Sequence, residues 1–146
     1  MKTVSQILHA KGAAQVHTIA PDDTVLEAIR RMAEKGIGAL VVMEGNSIVG
    51  MVTERDYARN VILKGRASEE TAVREIMSSS VLYVRPQHSN EDCMALMTDN
   101  RVRHLPVLDQ GRLIGLISMG DLVKDIISDQ QFTIEQLEHY INGQRA

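Results

Sequence analysis

Two short stretches hold the residues best suited to chemistry. GMVTERDY (Gly50 to Tyr57) and GLISMGDL (Gly115 to Leu122) each leave an apolar run at a glycine. Each then reaches a hydroxyl followed three residues later by a carboxylate, Thr53 with Asp56 and Ser118 with Asp121. Ser/Thr-x-x-Asp is a helix-start pattern: the hydroxyl accepts from the amide three residues on, and the acidic side chain reaches back. The same arrangement sets a hydroxyl and the first-turn amides at the positive end of a helix, surroundings that suit a phosphate. One such pair is accounted for by capping alone. A repeated pair raises the question of whether the carboxylates also hold something.

Other chemistries find little support. There is no nucleophile–base pair and no Walker-type loop, so an enzyme is not expected. His88, Asp92 and Cys93 are metal-ligand types, but Asp92 and Cys93 point differently on a helix and no second cluster accompanies them. No metal site is expected. Cys93 is the lone cysteine, which rules out an intramolecular disulfide framework. The formal charge is −3 and no segment concentrates Lys and Arg, while three Tyr, one Phe and no Trp offer few stacking surfaces. Nucleic-acid binding, which needs a basic face and rings, is not expected, nor is a membrane surface. With no apolar run of membrane-spanning length and no signal-peptide pattern, the reading is a cytosolic protein.

The elements that must position these residues follow from an internal repeat. Residues 16–64 overlie 81–129 without a gap, pairing Val16 with Val81, Pro21 with Pro86, Met32 with Met97, Leu40 with Leu105, Gly50 with Gly115 and Asp56 with Asp121. Each copy opens with an extended piece before a proline. A helix follows, with Val25, Ala28, Ile29 and Met32 on one face of the first and Cys93, Met94 and Met97 on that of the second. Asp22 or Asp23 can cap the first helix and Gly36 suits its left-handed end; Asn100 lies near the end of the second. Two strands joined by a tight turn come next, around EGN and DQG, and a second helix closes each copy. Methionines at helical spacing are core filler. The lead-ins TVSQIL and AVREIM resemble one another, and the first copy carries four extra residues within HAKGAAQ.

The expected fold is therefore α/β (α+β): two β-α-β-β-α units related by a pseudo-twofold axis, each a three-stranded sheet with two helices, completing one another's core. The expected boundaries are a first unit over 3–64, a linker over 65–72, a second unit over 73–129 and a separate C-terminal amphipathic helix over 130–146.

This pattern resembles a tandem pair of cystathionine-β-synthase (CBS) domains, the Bateman module, as found in small stand-alone bacterial-type proteins. GMVTERD and GLISMGD match the signature ends of its repeats, and RHLPVLD its middle strand. The resemblance implies a regulatory adenosine-nucleotide sensor with clefts between the paired units. AMP is the first expectation, with ADP, ATP, NAD-like ligands or S-adenosylmethionine as further ones, and no catalytic cofactor. In such a family Asp56 and Asp121 take the ribose hydroxyls. Thr53, Ser118, Arg55, Arg103 and His104 face phosphate, with Arg85 as a further charge. Thr18, Ile37, Gly38, Ala39, Met51, Val52, Tyr83 and Val102 line the adenine slot. Basic residues at the Arg103–His104 position often reach the nucleotide held by the other unit's aspartate. Since Met119 and Gly120 replace Glu54 and Arg55, the Thr53–Asp56 site is expected to bind phosphate better. The resemblance also implies a homodimer, a disc of four units, acting on an unidentified protein target. The alternative is a ligand-free dimerisation or protein-interaction module.

Overall fold

The computed structural model describes residues 2–12 and 16–141. Its elements run α1 (Val4–Lys11), β1 (Thr18–Ile19), α2 (Val25–Lys35), β2 (Ala39–Glu44), β3 (Ser47–Thr53), α3 (Glu54–Tyr57), a π-helical turn (Ala58–Ile62) and a 3₁₀ turn (Val73–Glu75). The second half adds α4 (Asn90–Asn100), β4 (His104–Asp109), β5 (Arg112–Ser118) and α5 (Met119–Ile141). The architecture is the expected mixed α/β one.

In the first repeat β1 pairs parallel with β2, and β2 pairs antiparallel with β3. Ala39, Leu40, Val41 and Val42 are all fully buried, the pattern of a central strand covered on both faces. The turn between β2 and β3 places Gly45 at a φ of 62°, the glycine position of a hairpin turn. Thr24, not Asp22 or Asp23, caps α2 by accepting from the Glu27 amide at 3.2 Å. Asp23 instead accepts from the Ala20 amide and Asp22 pairs with Arg74. Linker carbonyls complete this helix start, Thr71 O taking the Val25 amide and Ser68 O the Leu26 amide. Gly36, at a φ of 64°, ends α2 as expected. Val25, Ala28 and Met32 then pack with Ile19, Leu40, Val42, Val52, Val61, Val73 and Ile76 in one core.

In the second repeat β4 and β5 form a two-stranded sheet. The counterpart of β1 shrinks to a single parallel bridge, Val84 to Val107. Gln110 and Gly111 both take positive φ, 51° and 79°, as a two-residue type I′ hairpin requires. Ser89 caps α4 in a reciprocal box with Asp92, and hydrogen bonding to the Asp92 carboxyl from the Ser89 amide, then from the Ser89 hydroxyl, holds it below the ordinary range. Arg101, at a φ of 55°, ends α4 where the first repeat uses Gly36. No glycine or proline lies between Gly120 and Ile141, so α5 runs continuously from Met119 to Ile141. The C-terminal segment expected as a separate helix from residue 130 is its extension; residues 142–146 lie outside the described residues.

The compact units are not the sequence repeats. One comprises residues 1–14, 84–109 and 115–146; the other comprises 15–83 and 110–114. Helix α1 therefore packs with second-repeat residues: the Val4 amide donates to His88 O at 2.8 Å and the Ser5 amide to Pro86 O at 3.0 Å. The other lead-in packs with first-repeat residues, the Val73 amide donating to Asp23 O at 2.9 Å.

Asn90, fully buried, stands where the first repeat has Val25. Its Nδ2 donates to Asp125 Oδ2 at 2.8 Å and to Leu122 O at 3.0 Å. Lys2 Nζ lies 3.2 Å from the other oxygen of that buried carboxylate. Asn90→Ala strips a donor from a buried charge, so it is expected to cost at least about 1 kcal/mol. Urea unfolding measures this, and a second substitution, Asp125→Leu, should recover part of the loss.

Candidate functional site

Each signature glycine is required by packing. A Cβ on Gly50 would lie 2.6 Å from Met77 Sδ and 2.8 Å from the Ser78 carbonyl oxygen. A Cβ on Gly115 would lie 2.7 Å from Leu8 Cδ2. The two lead-ins thus cross the two signature strands at the same point, Leu8 and Met77 being equivalent in TVSQIL and AVREIM.

Beyond the glycine both strands turn into helices through reciprocal caps. Thr53 Oγ1 accepts from the Asp56 amide at 3.1 Å, while Asp56 Oδ2 accepts from the Thr53 amide at 2.9 Å and from Thr53 Oγ1 at 3.0 Å. Ser118 Oγ accepts from the Asp121 amide at 3.1 Å, and Asp121 Oδ2 from the Ser118 amide at 2.8 Å. A backbone bond locks each start to the preceding strand, Glu54 N to Gly38 O at 3.1 Å and Met119 N to Arg103 O at 2.9 Å. In each aspartate only Oδ2 serves the cap. Oδ1 makes no hydrogen bond among the described residues.

The surroundings of the two carboxylates differ. Beside β3, the chain after the 3₁₀ turn runs extended, and Ser78 exchanges two backbone bonds of 2.9 Å with Met51. Helix α1 instead stays helical to Lys11, and its side chain takes over: Lys11 Nζ donates to Leu116 O at 3.0 Å and to Asp121 Oδ2 at 3.0 Å. Leu116 is the counterpart of Met51. Asp56 has no ion pair among the described residues. Lys11 was absent from the candidates read in the sequence; the signal that pointed to it was the four-residue excess within HAKGAAQ, of which residues 13–15 lie outside the described residues.

The remaining candidates are placed as follows. Ile37 and Gly38 join Ile29, Met32, Ala33, Gly36 and Glu54 around a pocket of about 310 Å³. Asp56 is not among its walls. Thr18 is half-buried in β1, its carbonyl accepting from Arg31 at 2.8 Å. Ala39, Met51 and Val52 are buried and present little surface. Val102 is half-buried, whereas Arg55, Tyr83, Arg85 and Arg103 are exposed.

His104 sits in the same unit as Lys11 and Asp121. Burial chiefly, then the charges of Lys11 and Arg103, pushes its imidazole pKa below the ordinary value, with Asp121 pulling the other way. His104 is therefore neutral at pH 7. As pH falls through about 6.5 the unfolded chain binds the proton first, so stability is lost in that window. Urea midpoints at pH 7.5 and 5.5 are expected to differ less in His104→Gln than in the unsubstituted protein.

Two ranges, residues 4–62 and 73–128, match the family model of the CBS domain. The chain belongs to the CBS-domain family. Among curated relatives it is 36% identical to the mitochondrial CBS domain-containing protein CBSX3 of Arabidopsis thaliana, covering 97% of this chain and 72% of that one. It is also 36% identical to the CBS domain-containing protein YhcV of Bacillus subtilis, covering 80% and 82%. Among solved structures, a protein with CBS domains from Burkholderia ambifaria superposes with a TM-score of 0.86 at 58% identity, covering 91% of this chain and 99% of that one. These CBS-domain relatives indicate a regulatory, ligand-binding module and no enzymatic family. Among the described residues no helix is long and apolar enough to cross a membrane.

Proposed function

We propose that this CBS-domain protein is a regulatory module that binds an adenosine-containing ligand, AMP first, with ADP, ATP and NAD as the alternatives. One observation carries the reading. The cap consumes a single oxygen of Asp56 and leaves Oδ1, on a half-buried side chain beside a helix start, without a hydrogen-bond partner among the described residues. A carboxylate held in this way can accept from the adjacent hydroxyls of a ribose, and each such bond contributes about 1.5–3 kcal/mol. Thr53, Ser118, Arg55, Arg103 and His104 are the candidates that serve phosphate. For adenine, Ile37–Ala39, Thr18, Tyr83, Met51 and Val52 are the candidates in one unit and Val102 the candidate in the other.

The Asp56 site is the stronger of the two, for a reason that sequence comparison does not give. Gly120 removes the arginine next to Asp121, but Lys11 supplies a cation there. That ammonium pairs with Asp121 Oδ2, the oxygen the cap also uses, and offsets the carboxylate's charge, so its Oδ1 is a weaker acceptor for ribose hydroxyls. Asp56 offers its charge uncontested.

Ligand binding shifts a conformational balance only through differential affinity for the two arrangements. The output acts on a partner in trans or through rearrangement of a homodimer. A thermal-shift screen of AMP, ADP, ATP, NAD and S-adenosylmethionine tests the reading. At a hundredfold excess over Kd the cognate ligand should add about 2.7 kcal/mol of stability. If none of the five shifts the transition, the protein is an interaction module without an adenosine ligand.

A further inference from the structure

The two caps spend their donors differently. Thr53 Oγ1 donates to Asp56 Oδ2 at 3.0 Å besides accepting from the Asp56 amide at 3.1 Å. Ser118 Oγ accepts from the Asp121 amide at 3.1 Å, but its own O–H reaches no acceptor among the described residues. The oxygen that the Thr53 hydroxyl satisfies in the first repeat is taken in the second by Lys11, with Nζ 3.0 Å from Asp121 Oδ2. A cation from the lead-in helix stands in for a hydroxyl proton, and that hydroxyl is free to donate elsewhere.

An ammonium carries three N–H donors. Two of those on Lys11 go to Leu116 O and Asp121 Oδ2, both at 3.0 Å. The third has no acceptor among the described residues, and the side chain is 34% exposed. Lys11 is tied to the strand by one bond and to the helix start by the other, so it is ordered before any ligand arrives. The guanidinium of Arg55, the cation beside Asp56, is exposed and unbonded among the described residues, so binding must order it first. His104 joins the second cluster, since the charges of Lys11, Asp121 and Arg103 all act on its imidazole. In the first repeat Gly38 and Ala39 stand at the positions of Arg103 and His104. There the Ser78 amide takes Met51 O, as Lys11 takes Leu116 O. The first repeat thus presents a free carboxylate oxygen and few fixed donors. The second presents fixed donors beside a carboxylate whose charge is offset.

We propose that the second repeat's site recognises phosphate through Lys11 Nζ and the Ser118 hydroxyl, and so takes phosphorylated adenosine ligands in preference to the nucleoside. This rests on the adenosine reading and deepens it: ribose hydroxyls dominate recognition at Asp56, phosphate oxygens at Lys11. For phosphate the order of the two sites is the reverse of that expected from Arg55. Asp121 has a second task, since its carboxylate holds Lys11 in place.

The test uses the full chain carrying Asp56→Asn, which isolates the second repeat's site, titrated calorimetrically with adenosine and with AMP. AMP should bind about tenfold more tightly than adenosine. Adding Lys11→Met, which keeps the apolar stem, should weaken AMP binding about fivefold or more and tighten adenosine binding, because Asp121 recovers its full charge. A merely structural loss would weaken both ligands together. Changes of equal sign and size for the two ligands overturn the proposal. So does a folded Asp56→Asn chain that binds no AMP where the native chain binds it. Inorganic pyrophosphate at matched ionic strength separates these outcomes from failure of the adenosine reading. If neither adenosine nor AMP binds the native protein, that reading falls. A transition temperature raised by pyrophosphate in the native protein and not in Lys11→Met then still supports the phosphate site, and no such difference overturns it.

Discussion

Asp56→Ala is expected to weaken AMP binding tenfold or more. Each hydrogen bond from a ribose hydroxyl to the carboxylate contributes about 1.5–3 kcal/mol, and 1.4 kcal/mol is a factor of ten in Kd. The same substitution also removes half of the reciprocal cap, because Asp56 Oδ2 accepts from both the amide and the hydroxyl of Thr53. Affinity and stability must therefore be read separately. Asp56→Asn keeps an oxygen for the Thr53 amide but discards the charge, so it should retain most of the stability and still lose most of the affinity. Thr53→Ala should do the reverse to the helix start, costing about 1 kcal/mol. Asp121→Asn is expected to lose less affinity than Asp56→Asn, because Lys11 already draws on its carboxylate. Calorimetric titration with AMP and urea unfolding on the same four variants separate the roles; equal losses of affinity from Asp56→Asn and Asp121→Asn would contradict the ranking of the sites.

Gly50→Ala is expected to be the most disruptive small substitution in the chain, at about 1–3 kcal/mol. Its φ is ordinary, so the cost is one of space. The new methyl would meet the Ser78 carbonyl oxygen at 2.8 Å, and Ser78 cannot retreat without breaking both of its bonds to Met51. Truncating Met77 relieves only the sulfur contact. The nearest atoms to a Gly115→Ala methyl are all in the Leu8 side chain, both Cδ atoms and Cγ, which can shift where a carbonyl cannot, so its cost should be smaller and Leu8→Ala should largely remove it. For a chain of this size each kcal/mol shifts Tm by about 2–4 °C. Comparable shifts from the two alanines, or full rescue of Gly50→Ala by Met77→Ala, would show that backbone crowding is not the cause.

The helices, hairpins and both caps were legible in the sequence because each depends on residues close together along the chain. Val25, Ala28 and Met32 lie one helical turn apart, and Thr53 and Asp56 three residues apart. Local competition between equivalent groups was harder to read: Asp22, Asp23 and Thr24 can all cap a helix, and Thr24 wins while Asp22 is drawn to Arg74. The continuity of α5 across Asp129 was hidden by the change from a half-packed to a fully exposed face, which alters the hydrophobic pattern without ending the helix. Least legible was what depends on contacts far apart in sequence. That α1 packs with residues 84–109, and that Lys11 ends beside Asp121 110 residues away, follows from which lead-in crosses which strand. The four extra residues within HAKGAAQ marked the place but not the partner.

The most direct measurement is a calorimetric titration of AMP into the native protein and into the Asp56→Asn/Asp121→Asn double variant. A saturable isotherm in the native protein that disappears in a folded double variant is the predicted result. An isotherm unchanged by loss of both carboxylates, or none in the native protein, would contradict the assignment of Asp56 and Asp121 as ribose acceptors for AMP.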